Sequence, residues 1–274
     1  MATNHSKYID STGTHYISNS GKDEKNAYTG GKAGDQSGHE WELKAWYNRP
    51  WTVVLRFPDQ TVAETIAKLG IEAALNNLIG YDQNQRNTYW TQLKAAGYDP
   101  SRITVACEED CTAGVSANVK AAGFIHGIKA LQDVSICSSR NMKSVFTKAG
   151  FVALTDSRYL TSSKYLLPGD ILLYENHHAA TNITVGSAVR SRWKPGSAPT
   201  PVDPTPEKAE GPFISITGSV NVRKGPAITY PVLGVVKRGD QLHYFGFTFP
   251  NGWFLVEYNG QLAAVSGLYG KTVQ

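Results

Sequence analysis

The chain is poor in sulfur, with three cysteines and two methionines in 274 residues. An odd cysteine count without a secretory leader argues against a scaffold stapled by disulfides. No run of about 18 apolar residues occurs, which excludes a membrane-spanning helix. Charged residues make up only 18% of the chain against 41% hydrophobic residues, a balance that excludes an intrinsically disordered protein. There is no basic run and no nucleic-acid-binding motif. The net charge of +4 and the isoelectric point near 8.8 suit an anionic surface without selecting nucleic acid as partner. The first ten residues lack the basic start and apolar core of a signal peptide, so none is expected.

Against these absences, one stretch carries chemistry: Glu108, Glu109, Asp110, Cys111, Thr112 and the helical run that follows. Asp110 is a natural N-cap, since its carboxylate can accept hydrogen bonds from free N–H groups one turn on. Cys111 then falls at the first helical position, where unpaired N–H groups and the helix dipole favour negative charge. That placement is expected to lower the thiol pKa and supply a nucleophile. The acidic neighbours act in the opposite direction, and they offer either a solvated turn or a seat for a substrate ammonium group. A base is available in the later stretch from Gly169 to His178. Cys107 and Cys137 read as small buried residues. The Cys107–Cys111 spacing, taken with the two histidines, is too weak a pattern to predict zinc, and no metal or organic cofactor is expected.

Residues 1 to 60 are rich in Gly, Ser, Asn and Asp and read as ordered loop, with an aromatic cluster of Trp41, Trp46, Tyr47 and Trp51 that packs and in part walls a cleft. Thr52–Arg56 has strand character. Thr61 and Glu64 form a capping box for a helix closing at Gly80, and a second helix runs from Gln83 to Ala96. The Cys111 helix is expected to reach about Ala122, followed by a short helix over 139–148. Strands are predicted at Phe151–Leu154, Ile171–Tyr174 and Ala179–Val185. Helices followed by short strands describe an α+β domain with helices packed on a small antiparallel sheet. A proline-rich stretch, 195–212, reads as a semi-rigid linker between a first domain, 1–194, and an all-β unit, 213–274, whose short strands are separated by Gly, Pro, Asn and Asp turns.

The last unit resembles a bacterial SH3 domain in Val220–Pro226, Tyr230, Val236–Asp240, Asn251–Trp253, Val256–Gly260 and Ala264–Ser266. It departs from the pattern at Ala263 and Ala264, where many relatives carry Gly-Tyr. The resemblance implies an SH3-like barrel that binds cell wall, with Trp253, Tyr230 and Tyr258 as candidate ligand-binding aromatics. The first domain resembles the NlpC/P60-type cysteine peptidases, most closely those of phage endolysins. The matching stretches are Asp110–Thr112, Leu167–Leu173, His177–Ala180, Gly34–Trp41 and Trp46–Trp51.

That resemblance implies a papain-like fold and hydrolysis of an amide bond in peptidoglycan stem peptides, commonly between D-glutamate and a diamino acid. Cys111 is the implied nucleophile and its backbone N–H part of the oxyanion site. Neighbours on a strand face opposite sides, so only one of His177 and His178 can point at Cys111, and the family spacing, a His-x-Ala run into a strand, implies His178 as the base in preference to His177. The polar position that usually orients the base falls near Val189, Arg190 or Ser191, where no His, Asn or Gln stands. Asn182, four residues beyond His178 on the same strand face, is the candidate instead. Asp35, Gln36, Glu40 and Asp110 are candidate substrate ligands. The expected partner is peptidoglycan, with no membrane and no nucleic acid, and the expected state is a monomer. Such a protein is made in the host cytoplasm and reaches the wall through a holin-type pore, or is secreted if its signal has been trimmed. The competing readings are an N-acetylmuramoyl-L-alanine amidase with the same Cys/His chemistry, and a wall-binding protein without catalysis.

Overall fold

The computed structural model describes residues 3–31, 40–193, 213–249, 251–259 and 261–273. Asp35, Gln36 and the proline-rich stretch 195–212 lie outside the described residues. The chain divides into two compact units, Met1–Gly196 and Ser197–Gln274.

The first unit contains, in order, α1 (Ser6–Ile9), β1 (Tyr16–Ser20), β2 (Trp41–Ala45), β3 (Val53–Arg56), α2 (Gln60–Leu75), β4 (Ile79–Tyr81), α3 (Thr88–Ala95), β5 (Cys107–Glu109), α4 (Cys111–Ile125), α5 (Lys129–Gln132), α6 (Met142–Lys148), β6 (Val152–Leu154), α7 (Ser157–Leu160), β7 (Ile171–Tyr174) and β8 (His178–Asn182). Six strands form an antiparallel sheet in the order β2-β1-β8-β7-β3-β6, and β4 and β5 form a separate parallel pair. Helices α2 and α4 pack on the sheet and on each other. Val53, Leu55, Ile171, Leu173 and Ala179 from the sheet meet Ile66 and Ala73 of α2 and Val115, Val119 and Ala122 of α4 in one core. No helix among the described residues is long and apolar enough to cross a membrane.

Several boundaries differ from the sequence reading. The Asp59 carboxylate caps α2 by accepting from Thr61 and Val62 N–H, so the capping residue is two positions earlier than the Thr61 box suggests. Helix α2 ends at Leu75, and Gly80 lies in β4 rather than closing a helix. Residues 16–20 and 41–45, read as loop, are strands paired over five positions. In 16–20 the small polar residues hide the strand because they are buried through hydrogen bonds: Trp41 Nε1 donates to Ser18 Oγ at 2.7 Å, and Ser18 Oγ donates to the Gly70 carbonyl at 2.8 Å. The strand expected to continue to Val185 stops at Asn182.

The second unit is all β. It holds β9 (Phe213–Ile216), β10 (Val220–Arg223), β11 (Val232–Val236), β12 (Gln241–Thr248), β13 (Trp253–Tyr258), β14 (Gln261–Ser266) and β15 (Gly270–Val273), in the order β11-β10-β14-β13-β12-β9-β15. Its own core contains Ile214, Ile216, Val222, Val236, Leu242, Val256, Ala263 and Val265.

Candidate active site at the N-terminus of α4

Asp110 leaves β5 in an extended conformation, and its carboxylate accepts from Thr112 N–H at 2.9 Å and Ala113 N–H at 2.8 Å. This cap fixes Cys111 at the first position of α4. The same carboxylate is held by Arg86, whose Nε lies 2.7 Å from Oδ2. Arg86 also donates to Thr112 Oγ1 and to the Cys137 carbonyl, each at 2.8 Å. Asp110 is thus used within the protein, by the helix and by Arg86, which argues against the substrate-ligand role expected of it. Glu40 is likewise buried, and its Oε2 accepts from the Tyr81 N–H at 2.7 Å. It buttresses β4 instead of lining a cleft.

The acidic run is no solvated turn. Glu108 and Glu109 are fully buried. Glu109 accepts a hydrogen bond from Ser20 Oγ, and burial pushes its carboxyl well above the usual range against the opposing hydrogen bonds of Ser20 and the Gly114 backbone. Burial, then the charges of Asp110 and Glu109, push the Cys111 thiol up to about 12. The N–H of Ala179, directed at the sulfur, and the Arg86 charge act in the other direction and are outweighed. The lowered thiol pKa expected from helix position alone is therefore reversed by desolvation and neighbouring carboxylates.

That Ala179 N–H belongs to the residue after His178, so β8 brings the histidine to the cysteine helix. His178 is 5% exposed, whereas His177 points to solvent and stacks on Tyr174. Strands β1 and β8 pair at Ile17 with Asn182 and at Ser18 with Thr181. Extended by one step, this register sets Asn19 across from Ala180, with His178 as its diagonal neighbour on the same face. Asn19 Oδ1 lies 2.9 Å from His178 Nε2.

The proton on that bond can be assigned from its neighbours. Arg49 Nη1 donates to the Tyr47 hydroxyl at 3.3 Å, and Tyr47 donates onward to Asn19 Oδ1 at 3.1 Å. An oxygen already receiving Tyr47 is an acceptor, so His178 Nε2 carries the hydrogen and Nδ1 keeps its lone pair. Trp51 stacks on the imidazole with ring centroids 6.1 Å apart. Burial, then the charges of Arg49 and Lys44, push His178 down to about 3. At neutral pH these shifts leave both the imidazole and the Cys111 thiol uncharged.

Asn182 does not perform the orienting role expected of it. Four residues along a strand is about 13 Å, and its carboxamide is engaged elsewhere. Its oxygen meets His15 Nε2 at 2.7 Å, and its nitrogen donates to the carbonyls of Leu167 at 2.8 Å and Thr184 at 2.9 Å. Asn19 occupies the position by His178. Sequence reasoning misses it because it lies in a Gly/Ser/Asn-rich segment with no strand periodicity, and only the sheet register brings it to His178. Arg86 escapes because it belongs to no local motif, and Arg49, inside the Trp46–Trp51 stretch, escapes because nothing local shows that it reaches the histidine through Tyr47.

Cys107 and Cys137 are buried. Among the described residues no group of three or more His, Cys, Asp and Glu side chains is disposed to hold a metal.

In the second unit, Tyr230 is 45% exposed with its ring against Gly225. Asn251 Nδ2 donates to the Pro226 carbonyl at 2.5 Å, which closes the neighbouring loop onto the turn before Trp253. Trp253 is half-buried, and Tyr258 packs against the core with its hydroxyl over Gly234. Ala263 and Ala264, the departure from the SH3 pattern, are both buried in β14.

A family model for an endolysin-like domain matches residues 17–189, more than half of the chain, and one for a bacterial SH3 domain matches residues 218–269. No curated protein and no solved structure matches the chain.

Proposed function

The chain belongs to the endolysin-like domain family, and from that premise we propose that it is a peptidoglycan hydrolase that cuts a stem-peptide amide bond with Cys111 as nucleophile and His178 as base. The observation that carries this reading is the convergence at the start of α4. The Cys111 sulfur faces the N–H next to His178, and the His178 ring is held by Asn19 and Trp51 with Nδ1 left to accept a proton. The fold reading that goes with it is of the NlpC/P60 type.

The resting pair is neutral, so proton transfer accompanies attack. As Cys111 Sγ bonds to the amide carbon, its proton passes to His178 Nδ1. The resulting oxyanion is received by the Cys111 backbone N–H, which has no partner within the helix. His178 then gives the proton to the leaving amine, and the C–N bond breaks to leave a thioester on Cys111. Water, deprotonated by His178, hydrolyses the thioester and restores the thiol. No step needs a metal. Asn19 holds the required tautomer throughout, and the SH3 unit retains the protein on the wall.

Digestion of purified Gram-positive peptidoglycan by wild type and Cys111→Ala, with products identified by mass spectrometry, tests the proposal. The expected result is a new amine on the diamino acid with wild type and none with the variant. A new N-terminal alanine would assign the amidase bond to the same chemistry. Equal digestion by both proteins would remove Cys111 from the mechanism, and digestion by neither would favour a wall-binding role.

A further inference from the structure

A cleft of about 500 Å³ opens beside the base, lined by Asn48, Arg49, Pro50, Trp51, Leu160 and the hydroxyl residues Thr155, Ser157 and Thr161. Trp51 is the wall it shares with the candidate site, since the same indole stacks on His178. One side of the cleft is apolar, from Pro50, Trp51 and Leu160, and the rest offers hydroxyl groups and one cation. Among the described residues no carboxylate lies within ion-pair distance of Arg49. Its guanidinium donates to Tyr47 and lies over the Tyr174 ring, 5.9 Å from the centroid. Asp156, in the segment that supplies the hydroxyl wall, is turned onto Arg158 and caps its N–H. Among the described residues, then, the one cation of the cleft has no ion-pair partner.

We infer that this cleft is a substrate subsite in which Arg49 receives a free carboxylate of the stem peptide adjacent to the bond being cut. The inference rests on the cysteine-hydrolase reading of the neighbouring site. A guanidinium with open donors in a partly apolar cleft fits a planar carboxylate, which it can bind in bidentate fashion. The Ser157 hydroxyl supplies a further donor, whereas that of Thr161 is spent on the Ser157 carbonyl, and the Trp51–Leu160 side takes the aliphatic part of the residue that carries the carboxylate. Arg49 also begins the chain of hydrogen bonds through Tyr47 and Asn19 to His178. It is a binding residue for substrate and a positioning residue for the base.

The test uses the full-length protein and three synthetic stem peptides: one with its side carboxylate and C-terminal carboxylate both free, and two in which one of them is a carboxamide. Wild type is expected to lose about tenfold in kcat/KM on one of the two amidations, as loss of a hydrogen bond to a charged group implies. Which amidation matters identifies the carboxylate that is read. Arg49→Gln should abolish that preference, whatever general loss it also causes, and Arg49→Lys should restore part of it. Tyr47→Phe breaks the chain to the base but keeps the cation, so it should lower kcat on all three peptides equally and leave the preference intact.

A wild type that cleaves all three equally, or an Arg49→Gln variant that keeps the preference, would overturn the inference. If the peptides are too short to be cut, their affinities for Cys111→Ala protein, measured by calorimetry, must show the same preference and its loss with Arg49→Gln. Equal affinities overturn it. Persistent cleavage by Cys111→Ala would instead overturn the underlying cysteine mechanism, so the two failures are distinct.

Discussion

In the proposed mechanism the chemistry turns on Asn19, because its hydrogen bond to His178 Nε2 leaves Nδ1 free. Asn19→Ala removes the acceptor for Nε2–H and lets the ring rotate and change tautomer. The expected outcome is a fall of about 100-fold in kcat with KM little changed, the cost of a misoriented base. A change in KM alone would show that Asn19 binds substrate and does not orient the base. A second consequence concerns Cys111. With its thiol pushed up to about 12, the thiolate is a minor species at neutral pH, and its fraction rises with pH throughout the accessible range. Alkylation by iodoacetamide should therefore accelerate about tenfold per unit between roughly pH 6 and 9, without a plateau. Cys107 and Cys137 are buried and should stay silent. A plateau reached below about pH 8 would indicate a preformed thiolate–imidazolium pair and contradict a neutral resting state.

At the scale of elements, α4 is the piece that must be placed accurately, and Gly114 shows how closely it is held. An alanine in the middle of a helix is ordinarily favoured over glycine by about 1 kcal/mol. Here a Cβ would run into the Glu109 carboxylate and the Trp41 ring, both fully or nearly buried. Gly114→Ala is thus expected to destabilise the first unit by about 1–2 kcal/mol net, because overpacking a rigid core costs more than propensity gains. Denaturant unfolding followed through the tryptophans would register this as a lower midpoint, and a raised midpoint would refute the close packing of α4 on β2 and β5. The elements also show what is legible in a sequence. The start of α4 and the strand leading to His178 can be read because their signals are local: a capping aspartate, an apolar run and a turn. Strand β1 cannot, since Ser18, Asn19 and Ser20 are buried by hydrogen bonding and leave no apolar alternation. The search for an orienting residue leads along β8 to Asn182, because a sequence shows neighbours along a strand but not across one. For the same reason Arg86, which fixes the cap from a distant loop, leaves no signal.

For the molecule as a whole, two units each with apolar packing of its own imply two tasks that mutations can divide. The first unit's sheet and helices form the candidate site, and the second unit has its own apolar core. Tyr230, an exposed ring on the second unit, is expected to contribute to wall retention. Tyr230→Ala should reduce sedimentation with cell-wall fragments several-fold, as loss of an aromatic anchor does, and leave cleavage of a soluble stem peptide unchanged. Loss of both together would mean that the units do not act independently. The central claim, that Cys111 carries the acyl group, is tested most directly by acid-quenching the protein during turnover of a soluble stem peptide and measuring its intact mass. The predicted result is an added acyl mass that maps to the peptide containing Cys111, is released by hydroxylamine and is absent in Cys111→Ala. Full turnover with no adduct at any time, and the same rate in Cys111→Ala, would contradict it.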